Sequence, residues 1–339
     1  MAASVRDVAD RAGVSVGTVS NVLNRPERVA PTTVKRVTAA IADLGFVRND
    51  AARQLRAGHS RSIGLSVLDI GNPFFTDIAR GAEDRAREAG LSVLLANSDE
   101  DSSRESEHLD LFAEQRVFGI LLTPVGARPE RLESLRRQGT PTVLVDRQTD
   151  SDDFSSVAVD DVAGGYMAVK HLLDIGRRRI VFVGGPARIR QVADRLEGAQ
   201  KAVADVSDAT LDVVLQDSLS VLQGRAAGER LSSRPALNRP DAVFAANDLL
   251  AMGLLQAFAM LGSIRVPDDV ALIGYDDIDF TRASVVPLSS IRQPSHEIGH
   301  SAVDLLVREN DGASDFAHEQ IVFQPELVVR ESTSADDLT

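Results

Sequence analysis

The sequence predicts a small all-α head carrying a helix-turn-helix, joined by a short linker to an α/β body of two doubly wound halves. Three observations lead there. Ser4 to Leu23, SVRDVADRAGVSVGTVSNVL, holds two short amphipathic helical patterns that meet at Gly13-Val14-Ser15. From Ser62 onward, short apolar runs alternate with amphipathic helical patterns. Charge divides at the same place: residues 1–60 hold nine Lys/Arg against five Asp/Glu, a net +4, so the remainder carries −17 of the total −13.

In the first pattern, Val5, Val8, Ala9 and Ala12 fall at i, i+3, i+4 and i+7 and make one apolar stripe. Ser4 stands at the N-cap, and Asp7 three residues on completes a capping box. Ser15 caps the second helix, which buries Val19, Val22 and Leu23. Its other face carries Gly17, Thr18, Ser20 and Asn21, short side chains that keep the helix slim enough for a major groove. Two short helices joined by a three-residue turn with glycine are the signature of a helix-turn-helix. A third helix, PTTVKRVTAAIADLG, turns Val34, Val37, Ile41 and Leu44 inward and ends at Gly45. NDAARQLRAG follows with Asn49 as cap, where Arg53 and Arg56 flank Leu55, a cationic face with one apolar wedge. Minor-groove binders insert such a wedge between base steps.

The body opens with IGLSVLD, LSVLLAN, FGILLTP and PTVLVD, nearly all-apolar runs expected of parallel strands covered on both faces. Helical patterns FFTDIARGAEDRAREAG, SSRESEHLDLFAEQ and PERLESLRRQ lie between them. A second set follows Asp161: helix AGGYMAVKHLLDIG, strand RRIVFVGG, helix ADRLEGAQKAVADV, strand AVFAAN, helix DLLAMGLLQAFAMLG and strand VALIGYDD. Ligands in such sheets sit off the carboxyl ends of the strands, where polar residues collect here: Asp69 to Phe75, Asp146-Arg147, Arg195, Asn247-Asp248 and Asp276-Asp277. Asp248 reads as a helix cap and Asp277 as a turn residue.

Composition narrows the function classes. The chain of 339 residues has no cysteine, which excludes disulfides, a thiolate nucleophile and Cys-ligated metal. The N-terminus has no secretory pattern, and no apolar run approaches the ~18–20 residues of a membrane span. A cytoplasmic location is therefore expected. A basic head on an acidic body suits docking one end on phosphate while repelling nucleic acid elsewhere.

Taken together, DVADRAGVSVGTVSNVLN, AARQLR, GNPFF, GGP, FAANDLLAMG, VPDDVALIGYDDI and PELVVREST resemble the LacI/GalR family of bacterial transcriptional regulators, in its order and spacing from residue 4 to about 333. The resemblance implies a headpiece over 1–48, a hinge helix and linker over 49–61, and a periplasmic-binding-protein-like effector core over 62–339. It implies three chain crossings, with one subdomain at about 62–162 and 292–320 and the other at about 163–290 and 321–333. It places Val16, Gly17 and Asn21 nearest base edges and Thr18 and Ser20 on phosphates, with Ser15, Arg28, Ala52 and Leu55 completing the DNA-binding set. The family commonly has larger side chains at the first two positions, so Val16 and Gly17 shift the burden of specificity onto Asn21 and DNA deformation. It places Asn72, Phe75, Asp146, Arg195, Asn247, Asp276 and Gln293 around the effector. Leu219 stands where some relatives carry an aromatic that stacks on the ligand, which weakens a purine. The implied protein is a homodimeric repressor on a pseudo-palindromic operator, released by a small sugar-like inducer. The alternative is a co-repressor-dependent regulator of purine type. No cofactor, metal or catalytic residue is expected, and no leucine heptad in the tail supports a tetramer.

Two readings from other classes fare worse. His296-Glu297-Ile298-Gly299-His300 matches the H-E-x-x-H of zinc hydrolases, but no third ligand is placed by spacing and glycine would loosen the helix. The segment fits equally an amphipathic helix with Ile298, Ala302, Leu305 and Leu306 inward. A solute-binding protein would share the α/β body but would need export and would leave the helix-turn-helix without a purpose. Dinucleotide, triphosphate and acyl-transfer motifs are absent from the sequence.

Overall fold

The computed structural model describes residues 3–46, 59–126, 129–137, 139–149, 151–312 and 316–334. Asn49, Ala52, Arg53, Leu55 and Arg56, and with them the expected hinge helix, lie outside the described residues. The chain divides into two compact units, residues 1–60 and 61–339.

In the first unit, α1 (Val5–Ala12) starts at the capping box expected from sequence: Ser4 Oγ accepts from Asp7 N, and the Asp7 carboxylate accepts from Ser4 N at 2.8 Å. Gly13 ends the helix at φ 63°, the left-handed turn that only glycine adopts without strain. α2 (Val16–Asn24) is capped by Ser15, and α3 (Pro31–Leu44) ends at Gly45 with φ 56°. Val8, Ala9, Ala12, Val19, Val22, Val37, Ala40 and Phe46 form the core among the three helices. Leu23, Val34, Ile41 and Leu44, expected inside, are only partly buried at its margin.

The second unit contains two six-stranded sheets with the same winding. The first runs β1 (Ser62–Val67), α4 (Pro73–Glu88), β2 (Ser92–Asn97), α5 (Ser102–Glu114), β3 (Gly119–Leu122), α6 (Pro129–Arg137), β4 (Thr142–Val145) and β5 (Ser155–Val159). The chain then crosses to α7 (Asp161–Asp174), β6 (Arg179–Gly184), α8 (Arg190–Ala204), β7 (Thr210–Leu215), α9 (Val221–Ser232), β8 (Ala242–Ala245), α10 (Asp248–Leu261), β9 (Ala271–Asp276) and β10 (Ser289–Arg292). It ends with α11 (Ser295–Asp311), β11 (Gln320–Phe323) and β12 (Glu326–Val328). The strand orders are β11-β5-β4-β3-β1-β2 and β12-β10-β9-β8-β6-β7. Every pairing is parallel except β10 with β12. The final crossing falls between Phe323 and Glu326, because Gln320–Phe323 pairs with β5 of the first sheet. The expected boundary near residue 320 moves accordingly.

Alternate residues on the central strands feed opposite faces of the first sheet. Leu121, Val143 and Val145 pack with α4 and α11, whereas Ile120, Leu122 and Leu144 pack with Leu109 and Phe112 of α5. The edge strands depart from the expectation of two covered faces: Leu94 and Leu95 of β2, and Val213 and Leu215 of β7, stand exposed.

Three helix pairs, α4 with α11, α7 with α8 and α9 with α10, cross at reciprocal glycines. A methyl group on Gly81 would collide with His296 O, and one on Gly299 with Ile78 O. Gly165 and Gly198 relate α7 to α8 in the same way, as do Gly224 and Gly253 for α9 and α10. Gly299 of the H-E-x-x-H segment therefore serves a backbone-to-backbone packing contact. His296 Nε2 pairs with Asp84 of α4 at 3.1 Å, while Ile298, Ala302, Leu305 and Leu306 are buried as expected of an amphipathic helix. Among the described residues no helix is long and apolar enough to cross a membrane.

Candidate functional site

The carboxyl ends of both sheets of the second unit face one cavity, lined from both sides. The first sheet contributes Leu68, Asp69, Asn72, Phe74 and Phe75 after β1, Glu100 after β2 and Asp146 after β4. The second contributes Ile189, Gln191 and Arg195 from the start of α8, Leu219 after β7, Asn247 after β8 and Asp276 at the end of β9. Six of the seven residues expected around an effector thus converge: Asn72, Phe75, Asp146, Arg195, Asn247 and Asp276. The seventh, Gln293, does not line the cavity. It lies behind Asp276, donating Nε2 to Oδ1 at 2.8 Å.

Two side-chain contacts span the cleft. Asn72 caps α4, accepting from Phe74 N at 3.1 Å, and its Nδ2 reaches across to Asp276 Oδ2 at 2.9 Å. In the other direction, Gln191 Nε2 donates to Asp146 Oδ2 at 2.8 Å and to Asp146 O at 2.5 Å. Asp146 Oδ1 is buried without a hydrogen-bond partner. Both aspartates leave their strands with positive φ, 55° at Asp146 and 109° at Asp276, a conformation that favours glycine and stores strain where a site is being aimed.

Arg195 is the electrostatic centre. Its Nε donates to Asp161 Oδ1 at 2.8 Å and Nη1 to Ala246 O at 2.7 Å, while Asp276 Oδ1 lies 3.9 Å away. Its guanidinium stacks on the buried Tyr275 ring, Cζ 3.7 Å from the centroid. Burial works against this charge, yet Asp161, Asp276 and Asp146 hold the guanidinium more firmly protonated than usual. The carboxyls respond in the opposite sense. Burial pushes Asp276 up to about 6, with Arg195, Asn72 and Gln293 pulling it back. Burial and then repulsion from Asp161 hold Asp146 well above the usual carboxylate range. Glu100 is raised by burial too, against a long hydrogen bond from Leu219 N at 3.5 Å.

Two polar residues that sequence reasoning left out, Glu100 and Gln191, belong to this cavity, and Asp69, read from sequence only as part of the polar run after β1, lines it too. Two readings also need correction. Asn247, not Asp248, is the cap of α10, accepting from Leu250 N at 2.9 Å. Asp248 is buried one residue inside and accepts from Ile278 N at 2.9 Å and Ser290 Oγ at 2.7 Å, tying β9 to β10. Asp277 is more than a turn residue, since it binds Arg292 at 2.8 Å and Arg330 at 2.5 Å.

In the first unit, Ser15, Val16, Gly17 and Asn21 of the α2 segment are exposed, with Thr18 and Ser20 half-buried. Thr18 Oγ1 lies 2.9 Å from Ser15 Oγ, and Asn24 Nδ2 donates to Ser20 Oγ at 3.2 Å. Both hydroxyls expected at phosphates are thereby oriented by neighbours. Arg28 is exposed at the end of a 3₁₀ turn, Pro26–Arg28. Val16 presents a large apolar side chain to solvent at 46% exposure, a feature that folding of the head does not require.

Residues 4–49 match the family model of bacterial regulatory proteins, lacI family, and residues 169–333 match a periplasmic binding protein-like domain. The HTH-type transcriptional repressor PurR of Photobacterium profundum is 33% identical over 335 residues, 97% of this chain and 98% of that protein. The chain belongs to the LacI family of bacterial regulatory proteins. Among solved structures, the Lac repressor dimer bound to operator and the anti-inducer ONPF superposes with a TM-score of 0.84 at 25% identity, covering 99% of this chain and 100% of that one. A LacI family transcriptional regulator from Enterococcus faecium with bound ribose has a TM-score of 0.73 at 28% identity, covering 81% and 100%. This family member is a DNA-binding, ligand-responsive transcriptional repressor, not an enzyme.

Proposed function

We propose that two copies of this LacI-family chain bind a pseudo-palindromic operator in the cytoplasm and release it when a small sugar-like inducer occupies the cavity. The observation that carries the effector class is the cavity lining. Carboxylates that accept from vicinal hydroxyls, amides that accept and donate, and the Phe74 and Phe75 rings suit a small polyol. Leu219 offers no aromatic face, which favours a sugar over a purine co-repressor. The ribose held by the Enterococcus faecium relative points the same way.

Dimerisation is supported by apolar side chains left uncovered on the second unit: Leu94 and Leu95 on β2, Leu222 on α9, and Phe280 and Val285 after β9. The operator-bound Lac repressor dimer supports the same assembly. In each head, α2 enters a major groove with Val16, Gly17 and Asn21 at base edges, and Ser15, Thr18, Ser20 and Arg28 on the backbone. Ala52 and Leu55 complete the contact through the minor groove. An effector acts by changing the balance between cleft closures, which it can do only through different affinities for them.

Fluorescence anisotropy of a labelled palindromic fragment from upstream of the gene tests this reading, with protein titrated in the presence and absence of sugars, nucleosides and purine bases. Tight binding released by one sugar is the expected result. Tightening by a ligand would reverse the sign, and no binding to any such fragment in low salt would overturn the DNA-binding assignment.

A further inference from the structure

The charge inventory of the cavity narrows the effector further. Four carboxyl groups face it, Asp69, Glu100, Asp146 and Asp276, against a single guanidinium, Arg195. That guanidinium is already engaged by Asp161 and by the Ala246 carbonyl, with the Tyr275 ring against one face. Asp161 offsets its charge from behind, so the lining holds four carboxyl groups with no uncommitted cation to meet a further anion. Arg188 and Arg190, on either side of Ile189, do not line the cavity. Arg190 pairs with Asp194 and Arg188 donates to the Glu100 carbonyl at 3.4 Å.

Asp146 adds an independent observation. Gln191 satisfies its Oδ2, but Oδ1 is buried with no donor. An unpartnered carboxyl oxygen needs a group that donates to it or, where the carboxyl keeps its proton, accepts from it, and a hydroxyl does both. A phosphate or carboxylate brings acceptors and negative charge into a space already lined by four carboxyl groups.

We infer that the effector is a polyhydroxy compound with no anionic group: an unphosphorylated sugar or polyol, in which an amine can replace a hydroxyl. The inference rests on the sugar reading above and excludes sugar phosphates, sugar acids and nucleotides.

The test uses the full-length protein near neutral pH, with thermal shift followed by calorimetric titration. The probes are ribose, glucose, galactose, mannose and fructose, then glucosamine and galactosamine, then phosphate monoesters of the same sugars, with adenine and hypoxanthine alongside. At least one neutral or amino sugar is expected to raise Tm, and its phosphate ester to bind about 100-fold more weakly, the scale of an uncompensated buried charge. Asp146→Asn and Glu100→Gln each remove one ionisable carboxyl group and should narrow that gap, with circular dichroism verifying the fold. Equal or tighter binding of the phosphate ester would overturn the inference and leave the sugar reading standing. A response to purine bases alone would overturn both. A panel in which no neutral or amino sugar shifts Tm also overturns the inference. So does a phosphate penalty unchanged in both folded variants.

Discussion

Gly165→Ala tests how the fold aims Arg195. A Cβ at position 165 would stand 2.8 Å from both the carbonyl carbon and the Cα of Arg195, with the carbonyl oxygen closer still. Ordinary contact begins at 3.4 Å and the carbonyl oxygen sets the limit, so α8 must retreat from α7 by more than ~1 Å. Overpacking of this kind costs about 1–3 kcal/mol, and for a unit of this size each kcal/mol lowers Tm by roughly 2–4 °C. The same retreat draws the guanidinium away from Asp161 at 2.8 Å and Ala246 O at 2.7 Å, the two bonds that hold it toward the cavity. A hydrogen bond to a charged group is worth about 1.5–3 kcal/mol, so effector affinity should fall by roughly 10–100-fold. Operator affinity without effector should stay as in the parent protein. Gly228→Ala is the control: it overpacks a different pair, α9 against α10, where its Cβ would stand 2.6 Å from Ala257 Cβ. Calorimetric titration with the identified effector, beside thermal unfolding, reads both quantities. A lowered Tm with parental effector affinity in Gly165→Ala would refute the claim that this contact positions Arg195.

Three further outcomes follow from the geometry. Asp276 has a folded pKa of about 6 against a reference of 3.8, so the folded state keeps a proton that the unfolded chain releases. Its contribution to stability is complete below about pH 4 and lost as pH rises through 6. Affinity for a hydroxyl-donating effector should rise over the same interval, and both dependences should flatten in Asp276→Asn; an unchanged slope in that variant would assign them elsewhere. Glu309 is half-buried, its Oε2 has no partner, and burial raises it to about 7. Glu309→Gln should therefore raise Tm above neutral pH and leave it nearly unchanged at pH 5; equal shifts at both would locate the effect outside ionisation. Asn21→Ala should weaken operator binding by about 1–3 kcal/mol and relax preference at one base pair, whereas loss spread evenly over all sequences would place Asn21 on phosphate.

Much of this was legible where a residue's job is local. Ser4 and Asp7 announce a helix start three residues apart, Gly13 and Gly45 mark left-handed ends, and the apolar runs of β1, β3 and β4 admit only buried parallel strands. Asp146, Arg195, Asn247 and Asp276 stand out because each follows a strand or opens a helix. Gln191 and Glu100 gave no such signal. Gln191 precedes the point where the helical pattern of α8 becomes apolar, and Glu100 sits in a polar loop after an edge strand. Their importance comes from partners 45 and 119 residues away, brought near only by the double winding. β7 and α9 escaped for a related reason. TLDVVL is interrupted by Asp212 and lies exposed at an edge, and α9 replaces a strong apolar stripe with Gly224, Ala227 and Gly228. The H-E-x-x-H segment, set aside from sequence as a zinc site, is accounted for by packing: its glycine answers to Ile78 across the crossing and its first histidine to Asp84.

The reciprocal glycine crossings have a mechanical consequence. Backbones that touch directly leave no layer of side chains to shear, so α4 with α11, and α7 with α8, behave as welded struts. A displacement at Asn72 or Arg195 then has little room to dissipate inside either half. It must emerge at the three places where the chain passes between the sheets, after Val159, after Arg292 and between Phe323 and Glu326. Stiff limbs on short pivots convert a change of one hydroxyl in the cavity into rotation of an entire half. A regulator that must report a small molecule at a distance is well served by limbs that cannot bend.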